Sequence, residues 1–173
     1  MGRGRLARLP HLVFPICGGF DAARSAVRWI GAETKRRGDL LASKLCKNIS
    51  EFSEIAERPL PFVVIVMNEI CDVLKTSENA ARAIERITKI SRAVGIHLVF
   101  SLPETEALEL ANVLDAYVPS RFVFKMATTD ASKRLLGVVG AEDLPSGEFL
   151  YRNSRGEISH FRGEVTTRES HIL

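Results

Sequence analysis

Cysteine is scarce in these 173 residues, and the three present, Cys17, Cys46 and Cys71, stand far apart. That spacing makes neither a disulfide framework nor a thiolate metal site, so buried or incidental thiols are expected. The four histidines, His11, His97, His160 and His171, show no metal-ligand spacing, which leaves no pattern for zinc. No apolar run approaches the ~20 residues that a membrane span needs. The basic start, Met-Gly-Arg-Gly-Arg-Leu-Ala-Arg, lacks the apolar core of a secretory signal, so a soluble, cytoplasmic protein is expected. There is no internal repeat and no low-complexity linker. Net charge is small, +3, which permits a polyanionic partner without requiring one.

What the chain does have is a run from Phe62 to Met67, six apolar residues of which three are valine. Such a run is short and β-branched enough for a strand buried on both faces, as in parallel sheets. Asn68 and Glu69 stand where that strand should end. Ligands of open α/β sheets bind at the carboxyl ends of the strands, so Glu69 is placed either for chemistry or simply to open the next helix.

The remaining periodicities build a sheet around that strand. Arg3, Arg5 and Arg8 form a terminal cluster that suits phosphate contact or a solvated tail, and Leu12 to Phe14 reads as an edge strand. Asp21 caps an expected helix over 22–37 that Gly38 would end, though Leu40, Leu41 and Leu45 suggest that the helical path resumes or continues, and Asn48 caps a short one through Ile49, Phe52 and Ile55. Ala80, Ile84, Ile87 and Ile90 make the stripe of a long helix closed by Gly95. Ile96 to Ser101 is then a second buried strand, which completes a βαβ unit and a partly parallel sheet. A helix through Leu108, Ala111 and Leu114, a strand over 121–126, a helix over 132–139 and a terminal hairpin turning at 153–156 follow. At this length a single domain over 1–173 is expected.

These residues, in order, resemble the motor domain of the FtsK/SpoIIIE family of DNA translocases. The segment Val63 to Leu74 is similar to the family's Walker B strand, Val-Val-Val-Ile-Asp-Glu-Leu-Ala-Asp-Leu. Arg92 to Leu98 is similar to Arg-Ala-Ala-Gly-Ile-His-Leu, and Val118 to Phe124 to Ile-Pro-Ser-Arg-Ile-Ala-Phe. Gly140-Ala141-Glu142 and Gly147 to Tyr151 resemble Gly-Ala-Glu and Gly-Asp-Met-Leu-Tyr. Leu9 to Leu12 with Ala26 to Trp29 looks like the segment that follows the family's nucleotide-binding loop.

The resemblance implies an α/β fold, the later part of a RecA-like P-loop NTPase core with a C-terminal β-hairpin. It implies ATP with Mg²⁺ as cofactors, double-stranded DNA as a nonspecific partner, a homo-oligomeric hexameric ring, and a role in chromosome partition and cell division. Glu69 would orient and activate the attacking water, while Asn68, Arg121 and Lys133 would stand at cofactor-binding positions. Asp72 also matches, and is equally placed as a cap partner one helical turn past Glu69.

The departures bear on activity. A P-loop ATPase needs Gly-x-x-x-x-Gly-Lys-Ser/Thr, whose backbone amides cradle phosphate while the hydroxyl holds magnesium. The chain has no such motif, and Gly18-Gly19 lacks the following lysine. The expectation is a piece of a longer motor or a descendant that lost its front half. Asn68 replaces the Walker B aspartate and removes a negative charge from the metal site. Ser101-Leu102-Pro103-Glu104 stands where the strand of the family ends Ala-Thr-Gln-Arg-Pro, so a phosphate-contacting glutamine becomes Pro103 and the following arginine becomes an acid, Glu104. Lys133 replaces an arginine and loses its bidentate fork. Arg121 serves either phosphate or an ion pair at the start of a strand. Lys125, Lys133 and Arg134 are candidate DNA contacts or ordinary solvated charges. Three readings follow: the later part of a DNA translocase, a degenerate non-hydrolysing subunit for ring assembly or DNA contact, or a relative of the FtsK-like motors of secretion and conjugation.

Overall fold

Ile30, Thr34, Arg37 and Leu41 recur three or four residues apart and are all buried, the period of a single helix face. They lie on α1 (Phe20–Ser43) of a computed structural model that describes residues 9–68 and 86–163. The helix passes straight through Gly38, the expected end, and takes the continuation that Leu40 and Leu41 suggest as far as Ser43. A glycine inside a helix costs about 1 kcal/mol relative to alanine, and burial of Leu41 beyond it offsets that cost. At the other end the cap is Gly19, with no side-chain hydrogen bond, in place of the expected Asp21. Leu12 to Phe14 forms no strand, and the Phe14 ring meets Trp29 edge-on with centroids 4.7 Å apart.

The chain divides into two compact units, Met1–Ser101 and Leu102–Leu173. In the first, α2 (Ile49–Ile55) is capped by Asn48 as expected, and β1 (Val63–Asn68) pairs in parallel with β2 (Ile96–Ser101) from Val63↔Ile96 to Asn68↔Ser101. Helical residues 86–91, α3, precede β2. The core joins Ile30, Leu41, Phe52, Ile87, Val94 and Ile96, with Val63, Ile65 and Met67 of β1 packed against it. Among the described residues this layer covers one face of the strand pair, so Val64 and Val66 are two-thirds exposed, where the sequence predicts burial on both faces. The turn into β2 depends on Gly95 at φ +74°. A methyl there would overlap the Ile49 side chain and adopt a backbone conformation that only glycine takes without strain.

In the second unit α4 (Glu104–Glu109) and α5 (Ala111–Tyr117) break at Leu110, where one helix was expected. An antiparallel sheet orders β3 (Arg121–Val123), β4 (Glu148–Arg152) and β5 (Ile158–Arg162) with β4 central. Between β3 and β4 runs α6 (Thr129–Leu136), which starts three residues before the predicted position because Thr128 caps it, accepting from Ala131 N–H at 3.2 Å. Strand β3 stops at Val123 because Met126 N–H turns away to donate to Ala141 O at 3.0 Å. Val123, Leu135, Leu136 and Leu144 lie in the core on one side of the sheet. Alternation puts Phe122, Phe149, Tyr151 and Phe161 on the other, with Phe122 and Tyr151 stacked at 4.7 Å. The parallel pair and the antiparallel hairpin give the mixed α/β architecture expected from the sequence.

Candidate functional site

The carboxyl end of the parallel pair is where an open α/β sheet presents its ligand-binding groups. Asn68 ends β1 there, exposed, with Ser101 as its partner across the ladder. Glu69 and Asp72 lie outside the described residues. Magnesium favours carboxylate and water oxygens in octahedral array. Asn68 brings a neutral amide, and among the described residues no three His, Cys, Asp or Glu side chains gather to hold a metal ion. These residues do not by themselves compose a magnesium site.

Pro103 and Glu104 follow β2, in the second unit. Pro103 is the N-cap of α4, its carbonyl accepting from Ala107 N–H at 2.9 Å. The Glu104 carboxylate accepts from Ala127 N–H at 3.0 Å, so this acid anchors the loop after β3.

Arg121 is buried, and three of its nitrogens have partners. Nε donates to Val118 O at 3.1 Å, one terminal nitrogen to Leu135 O at 2.7 Å, and the other to Asp115 Oδ1 at 2.7 Å. The Leu135 carbonyl belongs to the last turn of α6, where a cation is favoured by the helix dipole. Arg134 joins the same carboxylate through Asp115 Oδ2 at 2.7 Å and also donates to Asn112 Oδ1. The Arg134 hydrogen bond, opposed by burial and then helped by Arg121, holds the Asp115 carboxyl below the usual aspartate range. Asp115 is therefore the centre of this cluster. Nothing in the sequence singles it out, because it lies on a different helix from Arg134 and before the strand that carries Arg121.

Lys133 also belongs to the last turn of α6, but its side chain is exposed and has no hydrogen bond or ion pair among the described residues. Lys125 is exposed as well. Of the four sequence-predicted site residues, Arg121 and Lys133 share the second unit, Asn68 belongs to the first, and Glu69 is not described. Among the described residues only Arg121 enters a bonded cluster, and there it makes the ion pair at the start of a strand that the sequence offers beside a phosphate contact.

Comparison with known proteins places this chain. No protein-family model matches it. The DNA translocase FtsK of Borreliella burgdorferi is 33% identical over 154 residues, 84% of this chain and 20% of that protein. The DNA translocase SftA of Bacillus subtilis is 28% identical over 171 residues, 94% of this chain and 18% of that protein.

The chain is similar to the FtsK-type DNA translocases.

The likeness extends over most of its residues, while the chain spans about a fifth of the length of these FtsK-type relatives. Among solved structures the pCW3 conjugation coupling protein TcpA, determined with ATPγS, superposes with a TM-score of 0.69 at 24% identity, covering 82% of this chain and 44% of that one. The fold is thus the P-loop NTPase fold that the sequence resemblance implies. No helix among the described residues is long and apolar enough to cross a membrane.

Proposed function

We propose that this chain is the later part of an FtsK-type DNA translocase motor domain. The observation that carries the reading is the parallel pair β1–β2, with Asn68 at its carboxyl end, in a chain similar along most of its length to DNA translocases. In this reading ATP and Mg²⁺ serve the complete motor, double-stranded DNA is the partner, and subunits assemble as a ring, hexameric as in the family, in the cytoplasm during chromosome partition and cell division. Glu69 orients the attacking water and Asn68 occupies the magnesium-side position. Lys133 is the cation open to phosphate, since its amino group has no side-chain partner among the described residues. Arg121 acts by positioning, holding the start of β3 to the last turn of α6.

A second reading takes support from the TcpA likeness: a conjugation-type motor, which shares the fold and differs in cargo. Either way this polypeptide alone hydrolyses no ATP, because it contains no Gly-x-x-x-x-Gly-Lys-Ser/Thr and replaces the Walker B acid by Asn68. That inactivity equally suits a non-hydrolysing subunit working beside an active one.

The test is magnesium-ATP turnover and duplex DNA binding on one sample of the purified chain, with its mass in solution recorded. No turnover is expected, and none after Asn68→Asp. Duplex binding should be indifferent to sequence and weaken steeply with salt, as counterion release requires. Turnover above background would overturn the inactive reading. Failure to bind duplex DNA at low salt, in a sample larger than a monomer, would overturn the DNA-motor reading.

A further inference from the structure

At the opposite end of the parallel pair from Asn68, a cavity of ≈ 590 Å³ opens beside the amino-terminal residues of β1 and β2. Its volume lies within the ~300–1,000 Å³ of small-ligand sites. Three stretches of the first unit build it. Asn48, Ile49 and Ser50 come from the start of α2, Lys89, Arg92 and Ala93 from α3 and the turn after it, and Phe62 and His97 flank the strand starts. The stretches are fixed to one another by Ile49 N–H donating to Ala93 O at 2.8 Å and Val63 N–H donating to Gly95 O at 2.9 Å. Gly95 permits the close approach of Ile49 that shapes the wall.

The described lining residues include lysine, arginine and histidine and no carboxylate. Glu51 accepts from one of them, Asn48, through Nδ2 at 3.1 Å, and from Lys47 N–H at 2.7 Å, as a helix capping pair. The Arg92 guanidinium and the Ser50 hydroxyl have no hydrogen-bond or ion-pair partner among the described residues, and the His97 ring meets only the ring of Phe62, at 5.6 Å. A planar guanidinium fork, an ammonium, a hydroxyl and an imidazole around one opening match a tetrahedral oxyanion, which offers several acceptors to donors from different directions. A planar carboxylate would leave part of that set unused.

We propose that this cavity binds a phosphate group, with Arg92 as the bidentate contact and Lys89, Ser50 and His97 completing the shell. Two sources supply that chemistry, a free phosphate-bearing small molecule or the backbone of a nucleic acid. The site lies at the strand ends remote from those where open α/β sheets hold their nucleotides, so it is independent of any nucleotide site at Asn68.

The experiment is a side-chain NMR titration of the full chain at constant ionic strength, following the His97 imidazole and Arg92 Nε–H signals. The probes are inorganic phosphate, pyrophosphate and a short DNA duplex, with chloride as the control anion. Saturable shifts of both signals with the phosphate probes, absent with chloride, are expected. Arg92→Ala should weaken binding about tenfold and Arg92→Lys should restore part of it. Arg92 is exposed and without a side-chain partner among the described residues, so its substitution should leave the backbone spectrum otherwise unchanged. His97→Gln, a second variant, should weaken binding to a lesser degree. Duplex that displaces pyrophosphate, with a salt dependence reduced by about one counterion in Arg92→Ala, identifies the nucleic-acid source; duplex that fails to displace it identifies the small-molecule source. No saturable shift with any phosphate probe, or binding undiminished in both variants, overturns the proposal.

Discussion

Among the described residues each unit withdraws one arginine from water, and the two are used over different spans. In the first, Arg37 is 3% exposed and donates to Pro61 O at 2.9 Å and Val94 O at 3.1 Å, residues 24 and 57 positions away, while its Nε bonds Glu33. In the second, Arg121 is 7% exposed and reaches Val118, Leu135 and Asp115, none more than 14 positions away. Arg37 therefore closes long loops, joining α1 to the approach to β1 and to the turn before β2. Arg121 staples a neighbourhood that the short connections already bring together. The cost of ordering the chain grows with loop length, so the same functional group supports more tertiary structure in the first unit than in the second.

The comparison breaks most sharply on alanine substitution. Arg37→Ala leaves two inward carbonyls without a donor and half-releases Glu33, and we expect a loss of about 3–4 kcal/mol in unfolding free energy. Arg121→Ala should cost about 2 kcal/mol, since Asp115 is partly exposed and keeps Arg134. Urea unfolding followed by Trp29 fluorescence, the one tryptophan and a residue packed on the first core, reads the first effect; far-ultraviolet circular dichroism reads both. Equal losses, or the larger one at Arg121, would remove the distinction.

Acid sharpens it. The Arg36 hydrogen bond, opposed by burial and then helped by Arg37, brings the Glu33 carboxyl down to about 2 from an ordinary value of 4.5. Its folded value lies below its unfolded value, so its contribution is complete above pH 4.5 and disappears as the pH falls from 4.5 through about 2. The amount is on the order of 2 kcal/mol, because Arg36 lies half in solvent and that part of the interaction is screened. Asp115 shifts in the same direction, and so does Glu142, held below its ordinary value of 4.5 by backbone hydrogen bonds, its own and that of Gly140, so the second unit also weakens in acid. The Trp29 transition should report the Glu33 part of this loss, between pH 4.5 and about 2. Glu33→Gln should flatten its slope between pH 4.5 and 2, and an unchanged slope would show that Glu33 is not the group involved.

The strands were more legible in the sequence than the side chains that hold them. An apolar run ended by Asn68, a helical stripe and a second apolar run ended by Ser101 suffice to give β1, β2 and their parallel pairing, although among the described residues only one face of the pair is covered. The hairpin is legible from its turn residues, and Asn153 bears this out by accepting at Oδ1 from Arg155 and Glu157 N–H. Helix periodicity marks Arg37 as a position on the buried face, yet arginine is ordinarily assigned to solvent, and only the distant carbonyls of Pro61 and Val94 explain its place. Arg121 could be read as an ion pair at a strand start, but its acid, Asp115, could not be found without the fold. The end of β3 was missed for a similar reason, because Met126 bonds to Ala141 across α6 rather than continuing the ladder.

Helix caps supply the smallest contrast. Asn48 caps α2 by accepting from Glu51 N–H at 3.0 Å and receives the return bond of a capping pair, its Nδ2 donating to Glu51. Thr128 caps α6 with a single bond, to Ala131 N–H at 3.2 Å. Removing a cap costs about 1 kcal/mol in general, with a range of about 0.5–2. Asn48→Ala should fall in the upper half of that range, because it strips one hydrogen bond from the Glu51 carboxylate as well as freeing an amide, while Thr128→Ala should fall in the lower half. The two helices also differ in what replaces the lost bond: α2 remains tied by Ile49 N–H to Ala93, whereas α6 keeps its far end through Gly137 N–H to Lys133 O. Hydrogen exchange at Glu51 and Ala131 separates these effects, since each amide should lose protection in its own variant alone. Protection lost at both sites in either variant would mean that the two units unfold as one, and the contrast between their arginines would then have to be read as a single stability shared by the whole chain.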